Sequence, residues 1–164
     1  MFPEDIERMA AAVVAAATGR GWTVATAESC TGGLVAGALT AVAGSSAVVD
    51  RGFVTYSNAA KSEMLGVPAE TIEAHGAVSE PVARAMAAGA RVTAGVDLAV
   101  SITGIAGPGG GSADKPVGLV HFGCAGPDGV VHEAHRFGDL GREQVRLESV
   151  RVALGLLLTA CEAG

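Results

Sequence analysis

Basic charge, aromatic rings, cysteines and long apolar runs are all scarce in this sequence, and each shortage closes off a class of function. Eleven Lys and Arg stand against 17 Asp and Glu in 164 residues, a formal net charge of −6. A phosphate backbone demands a cationic face, so no nucleic-acid partner is expected. One Trp, one Tyr and four Phe leave little surface for base stacking. Cys30, Cys124 and Cys161 are odd in number and widely spaced. That pattern suits neither a disulfide framework nor a zinc site, and it fits a reducing compartment. Apolar stretches are broken by Gly, Thr or a charge well before the length of a membrane span. The acidic start around Pro3 lacks the basic-then-apolar pattern of a signal peptide. A cytoplasmic protein with no membrane partner is expected.

Glycine, by contrast, is abundant at 24 residues, and apolar residues make up 49%. A chain of this length buries about 70% of its unfolded surface as one domain. Residues 4–18 carry apolar positions at helical spacing, closed by Gly19 and Gly21. A short β-type run at 23–25 leads into Thr26-Ala27-Glu28-Ser29-Cys30-Thr31-Gly32-Gly33 and then a helix to Val42. Residues 47–56 read as a strand with a bulge or bend at Asp50-Arg51-Gly52. Ser57 or Asn58 caps a short helix through Leu65, and Pro68 begins another that stops at His75-Gly76. Ser79-Glu80-Pro81 opens a longer helix ended by Gly95. Residues 97–103 read as a buried strand, followed by the glycine loop 104–112. Strands at 117–124 and 130–137 flank the turn Gly126-Pro127-Asp128-Gly129, a hairpin signal, and a last helix covers 141–160. These elements predict one α/β domain over 1–164, in three α/β/α layers. Its mixed sheet has about five strands and includes the C-terminal hairpin.

Three groups of residues can carry chemistry. In the Ser29 turn, a strand passes through small residues into a helix, so unpaired N–H groups and the positive helix end offer a seat for an oxyanion. Ser29 and Cys30 are rival nucleophiles there, and a helix N-terminus lowers a thiol pKa. The plainer alternative is a strand–helix connection capped by Ser29 or Thr31. In the second group, Tyr56 sits at a strand end and Lys61 in the first turn of the next helix, where the dipole disfavours its charge. A neutral Lys61 can act as a general base toward a serine, with Tyr56 relaying a proton; a solvated surface lysine is the alternative. The third group is the glycine loop. It matches neither the P-loop nor the dinucleotide fingerprint, yet its amides and the hydroxyls of Ser101, Thr103 and Ser112 can bind phosphate.

Other polar groups carry less. His132 and His135 alternate to opposite faces of a strand and do not form a metal pair. His75 and His121 stand alone. Arg142 and Arg146, four apart, either form one cationic edge or pair with Glu143 and Glu148.

The segments TAESCTGG (26–33), AGSS (43–46), RGFVTYSNAAKSEMLGV (51–67), HGAVSE (75–80), SITGIAGPGGGS (101–112), KPVGLV (115–120) and GREQVR (141–146) occur together in this order. The combination resembles the CinA C-terminal-domain family, whose standalone members are nicotinamide-nucleotide amidohydrolases. The resemblance implies hydrolysis of the carboxamide of nicotinamide mononucleotide to nicotinate mononucleotide and ammonia, within NAD recycling. It also implies no cofactor, no metal and a homodimer. By position it implies Ser29 as nucleophile, Lys61 as its base and Tyr56 as the hydroxyl beside them. Thr31, Gly32, Gly33, Thr103, Gly104, Gly107 and Arg142 are implied to bind substrate, although Arg142 lies about one residue further from Phe137 than the family pattern has it. The alternative is a non-catalytic nucleotide-binding or regulatory domain that kept the pocket. Larger two-domain relatives carry an additional N-terminal domain, whose activity is not expected here.

Overall fold

Five consecutive buried residues, Val24–Glu28, form the interior strand β1 of a computed structural model that describes residues 1–163. A strand buried on both faces has a sheet with helices above and below it, and the chain supplies them in turn. The elements run α1 (Glu4–Arg20), β1, α2 (Leu34–Thr40), a 3-10 turn (Ser45–Ala47), β2 (Val49–Val54), α3 (Asn58–Leu65), α4 (Ala69–His75), α5 (Glu80–Ala94), β3 (Leu98–Gly104), β4 (Leu119–Gly126), β5 (Gly129–Arg136) and α6 (Arg142–Glu162). The sheet order is β2-β1-β3-β4-β5; β1 runs parallel to β2 and β3, while β4 pairs antiparallel with both β3 and β5. The three-layer mixed sheet and the hairpin expected for the single domain are present, with Gly164 outside the described residues.

Two apolar cores line the faces of the sheet. Ile6, Val13, Leu39, Ile102, Phe122, Leu154 and Leu157 pack α1, α2 and α6 on one side. Ala27, Phe53, Leu65, Ile72, Val82 and Met86 pack α3, α4 and α5 on the other. The expected irregularity in β2 is a register shift: Val24 faces Val49, but Ala25 faces Arg51, so Asp50 is the extra residue.

Several boundaries shift by a few residues from expectation, and two of the shifts have a clear cause. The run thought to end at Ala25 continues through Glu28, because Thr26, Ala27 and Glu28 pair with both Gly52–Val54 and Val100–Ile102. The following strand starts only at Val49, because Ser45–Ala47 close a 3-10 turn instead.

The topology creates one crevice. The connection after β1 leaves toward β2, while the connection after β3 leaves toward β4. Between β1 and β3 the chain therefore diverges at their carboxyl ends, the usual place for a ligand in an open α/β sheet. Helix α3 is held close to this crevice by α5. A Cβ on Gly89 would lie 1.9 Å from the Leu65 carbonyl oxygen, so only glycine lets the two helices approach this far.

Candidate active site

Ser29 is the first residue past β1, and its N–H donates to the Ile102 carbonyl at 2.9 Å, tying it to the end of β3. The chain after β2 comes in from the other side. Thr55 donates its N–H to the Glu28 carbonyl at 2.9 Å, and Ser57 then caps α3 by accepting the Ala60 N–H at 3.0 Å. That tight entry gathers the carbonyls of residues 55–57 around the Lys61 amine. Lys61 Nζ lies 2.8 Å from the Thr55 oxygen and 3.5 Å from each of the Tyr56 and Ser57 oxygens. Its remaining neighbour is Ser29 Oγ, at 3.0 Å. Lys61 is 1% exposed and Ser29 9%.

A lysine stripped of water in this way loses stabilisation of its charged form, and burial holds the Lys61 pKa below its ordinary value. An ionised Cys30 would oppose this, but burial pushes the Cys30 thiol up to about 12. The thiol is therefore neutral. The direction is opposite to that expected of a thiol at a helix N-terminus: desolvation outweighs any dipole.

The crevice is a cavity of about 290 Å³ bounded by Ser29, Cys30, Tyr56, Lys61, Thr103 and Arg142, with the loop residues Gly104–Gly107, Gly109 and Gly110. Arg142, the first residue of α6, spans its mouth. One guanidinium nitrogen donates to the Gly107 carbonyl and the other to the Tyr56 phenol oxygen, both at 2.9 Å. Thr103 lies in the wall, its hydroxyl donating to the Ala77 carbonyl at 2.8 Å. Ser29, Lys61, Thr103, Gly104, Gly107 and Arg142, distant in sequence, therefore meet at one cavity.

Tyr56 also borders the cavity, with its hydroxyl on Arg142 and not beside Lys61. Its side chain is 60% exposed and its hydroxyl is held by Arg142, while only its main-chain carbonyl approaches Lys61. Thr31, Gly32 and Gly33 do not line the cavity. The Gly32 N–H donates to the Ser29 carbonyl, and the amides of Val35 and Ala36 at the start of α2 donate to the buried carboxylate of Glu28 at 2.9 and 3.0 Å. The helix end expected to seat an oxyanion is thus occupied by the protein's own anion. The Cys30 N–H, next to the nucleophile, makes no hydrogen bond among the described residues.

Comparison with known proteins agrees with this architecture. The model of the CinA C-terminal domain matches residues 6–161. This chain belongs to the CinA C-terminal-domain family. It is 54% identical to a nicotinamide-nucleotide amidohydrolase, PncC, from Enterobacter agglomerans, over 94% of each chain. It is 56% identical to a CinA-like protein of Anaeromyxobacter dehalogenans strain 2CP-C, over 98% of this chain but only 39% of that protein. Among solved structures, competence/damage inducible protein CihA from Agrobacterium tumefaciens superposes with a TM-score of 0.96 at 55% identity over 99% of both chains. A CinA superfamily protein from Escherichia coli gives 0.91 at 34% identity, covering 98% of this chain and 94% of that one.

Other polar groups of this CinA domain fall away from the cavity. Ser101 donates to the Ala83 carbonyl and Ser112 accepts the Lys115 N–H, so neither hydroxyl is aimed at a phosphate. His132 and His135 do face opposite sides of β5, but His121 is not alone: it shares a 2.9 Å hydrogen bond with His132. Burial lowers the pKa of both. No group of three or more His, Cys, Asp or Glu among the described residues is placed to hold a metal. No helix among them is long and apolar enough to cross a membrane. Glu148 pairs with Arg151, leaving Arg146 to bind main-chain carbonyls rather than a surface acid.

Glu28 escaped the sequence reading, and the role of Arg146 was not seen there. Glu28 carried a signal, a carboxylate inside an otherwise apolar strand just before a helix. Arg146, expected either to share a cationic edge with Arg142 or to pair with surface acids, instead donates to the Cys30 and Thr31 carbonyls.

Proposed function

We propose that this protein hydrolyses the carboxamide of nicotinamide mononucleotide, with Ser29 as nucleophile and Lys61 as its general base. The observation that carries this reading is the 3.0 Å contact between Ser29 Oγ and the amine of a lysine that is 1% exposed. In its neutral form Lys61 donates to the Thr55 carbonyl and presents its lone pair to the Ser29 hydroxyl. As Ser29 Oγ bonds to the carboxamide carbon, its proton passes to Lys61 and the carbonyl π electrons move to oxygen. The Cys30 N–H, adjoining Ser29 and without a partner among the described residues, serves as a donor to that oxyanion. Collapse of the tetrahedral adduct breaks the C–N bond, and Lys61 returns the proton to the departing ammonia. Water, deprotonated by Lys61, then cleaves the ester to nicotinate mononucleotide and frees Ser29.

The substrate phosphate needs a separate cationic seat. Arg142, together with the Gly109 and Gly110 amides of the loop, supplies one at the cavity mouth, and Tyr56 orients the guanidinium. The name of the Enterobacter relative supports this substrate class. The family resemblance also suggests a homodimer, which sedimentation of the purified chain tests.

The decisive assay is ammonia release from nicotinamide mononucleotide, its riboside and free nicotinamide, with and without a chelator. The expected result is chelator-resistant turnover that favours the mononucleotide strongly over the riboside. A folded protein that binds the mononucleotide without releasing ammonia would instead establish the nucleotide-binding alternative.

A further inference from the structure

Arg146 is a half-buried cation with no carboxylate partner among the described residues. It reaches from α6 to the outer side of the Ser29 turn, where Nε donates to the Cys30 carbonyl at 3.1 Å and Nη2 to the Thr31 carbonyl at 3.2 Å. The carbonyl of Ser29 is taken by the Gly32 N–H at 3.0 Å, and Thr31 also accepts the Leu34 N–H at 3.1 Å. All three carbonyls of the turn are therefore tied down. In a trans peptide the N–H lies antiparallel to the C=O of the same unit. Fixing the carbonyls of Ser29 and Cys30 thus turns the N–H groups of Cys30 and Thr31 the opposite way, and neither has a hydrogen-bond partner among the described residues. The Thr31 hydroxyl, fully buried, has none either. Successive free N–H groups in a turn form an anion-binding nest.

We infer that Arg146 is a positioning residue that builds the oxyanion site of this enzyme by holding the two peptide planes after Ser29 in place. The inference rests on Ser29 being the nucleophile, as proposed above. Two features favour a device over incidental packing. A charged group in a partly dry place is costly unless its donors are satisfied, and here two of them are spent on main-chain carbonyls of one turn. The guanidinium also polarises the Cys30–Thr31 peptide, adding positive character to its N–H. The approach has a local requirement as well. The turn needs glycine at position 32, where φ is +57°, and a Cβ there would make only ordinary contact with Arg146 Nη2 at 3.5 Å.

The fork geometry is essential to this role, because a lysine can reach one carbonyl but does not bridge two in a plane. Four proteins are compared at saturating nucleotide: wild type, Arg146→Lys, Arg146→Met and Ser29→Ala. Arg146→Met is expected to lower kcat by about 10²- to 10³-fold, the scale for loss of one oxyanion donor. KM should move no more than about threefold if ground-state binding is untouched. Arg146→Lys should recover only part of the loss.

A second readout separates positioning from structural damage. A pyridine-3-boronic acid forms a tetrahedral anionic adduct on a serine, so its inhibition constant should rise in step with the fall in kcat for Arg146→Met. Nucleotide affinity, measured by calorimetry on the Ser29→Ala background with and without Arg146→Met, should stay the same. Equal loss of nucleotide and boronate affinity would overturn the inference in favour of general disruption. Wild-type kcat in Arg146→Met, with Ser29→Ala inactive, would overturn it outright. If Ser29→Ala keeps full turnover, the underlying reading of the site fails first, and that outcome is distinct from both.

Discussion

The two ends of the sheet each hold a cavity, and they differ in what they ask of a ligand. At the amino-terminal ends of β1 and β3 lies the roomier one, about 460 Å³, bounded by Trp22, Leu98, Cys124, Val130, Leu156 and Ala160. Its walls are mostly apolar. Arg20 is nearby, but it is stacked on Trp22 and donates to the carbonyls of Cys161 and Ala163. At the carboxyl ends lies the smaller cavity, where a buried lysine, a serine hydroxyl and an arginine converge. Size favours the first and chemistry the second. The buried polar residues Glu28, Ser29, Thr31, Thr55, Lys61 and Thr103 all lie at the carboxyl end or beside it, where burial without a task would only destabilise the fold. Reactivity in this molecule follows the desolvated polar cluster, not the volume.

The sharpest way to break that contrast is to remove the base. Lys61→Met keeps the buried stem and deletes the amine, and it should lower kcat by at least about 10³-fold, the upper part of the range for a lost general base. Ammonia release at saturating nucleotide checks it. The same lysine sets the pH behaviour. Only its neutral form accepts the Ser29 proton, so kcat/KM should rise with pH and level off above the Lys61 pKa, which lies below the ordinary 10.5. Linkage has the matching sign. Between the lowered value and 10.5 the unfolded chain holds a proton that the native chain has released, so stability should climb with pH across that window. Denaturant melts of wild type should show this climb, and melts of Lys61→Met should lack it.

A smaller effect belongs to the mouth of the cavity. Arg142→Met removes the charge without touching Ser29 or Lys61, and it should raise KM for the mononucleotide about 10-fold or more. Its KM for the riboside should barely change, which kinetics on the pair of substrates would show. The smallest effect on activity should come from the other end. Leu98→Ala in the apolar cavity wall should cost about 2–5 kcal/mol of stability, read by urea titration. Its kcat and KM should stay within about twofold of wild type. A large fall in kcat there would mean that the two ends are coupled.

The fold was largely legible because its signals are local and repeated. The spacing of Ile6, Met9 and Val13, the turn at Pro127-Asp128 and the extra residue at Asp50 each announce an element without help from distant contacts. The apolar strand at Leu98–Gly104 was equally plain. The reactive pair was legible as residue types and not as a contact, since Ser29 and Lys61 are 32 positions apart and meet through the pairing of β2 beside β1. What misled was the environment. A cysteine next to a helix start looks activated until burial is known, and Cys30 proves to be desolvated. A helix start looks like an anion seat until its occupant is known, and Glu28 fills it from within the strand. Tyr56, the only tyrosine, lay beside the right residues in sequence, yet its ring turns outward to Arg142. Strand alternation explains this: Phe53 and Thr55 face inward, so Val54 and Tyr56 face out. Arg146 is legible only in three dimensions, since its partners are carbonyls 115 and 116 residues away.

The most direct test of the central claim is the initial rate of ammonia release from nicotinamide mononucleotide by Ser29→Ala beside wild type, at saturating substrate and equal folded concentration. A loss of at least about 10³-fold with nucleotide binding retained is expected, the scale on which a residual rate survives once an attacking hydroxyl is removed. Turnover by Ser29→Ala within a few-fold of wild type would contradict it and would place the attacking group on water instead.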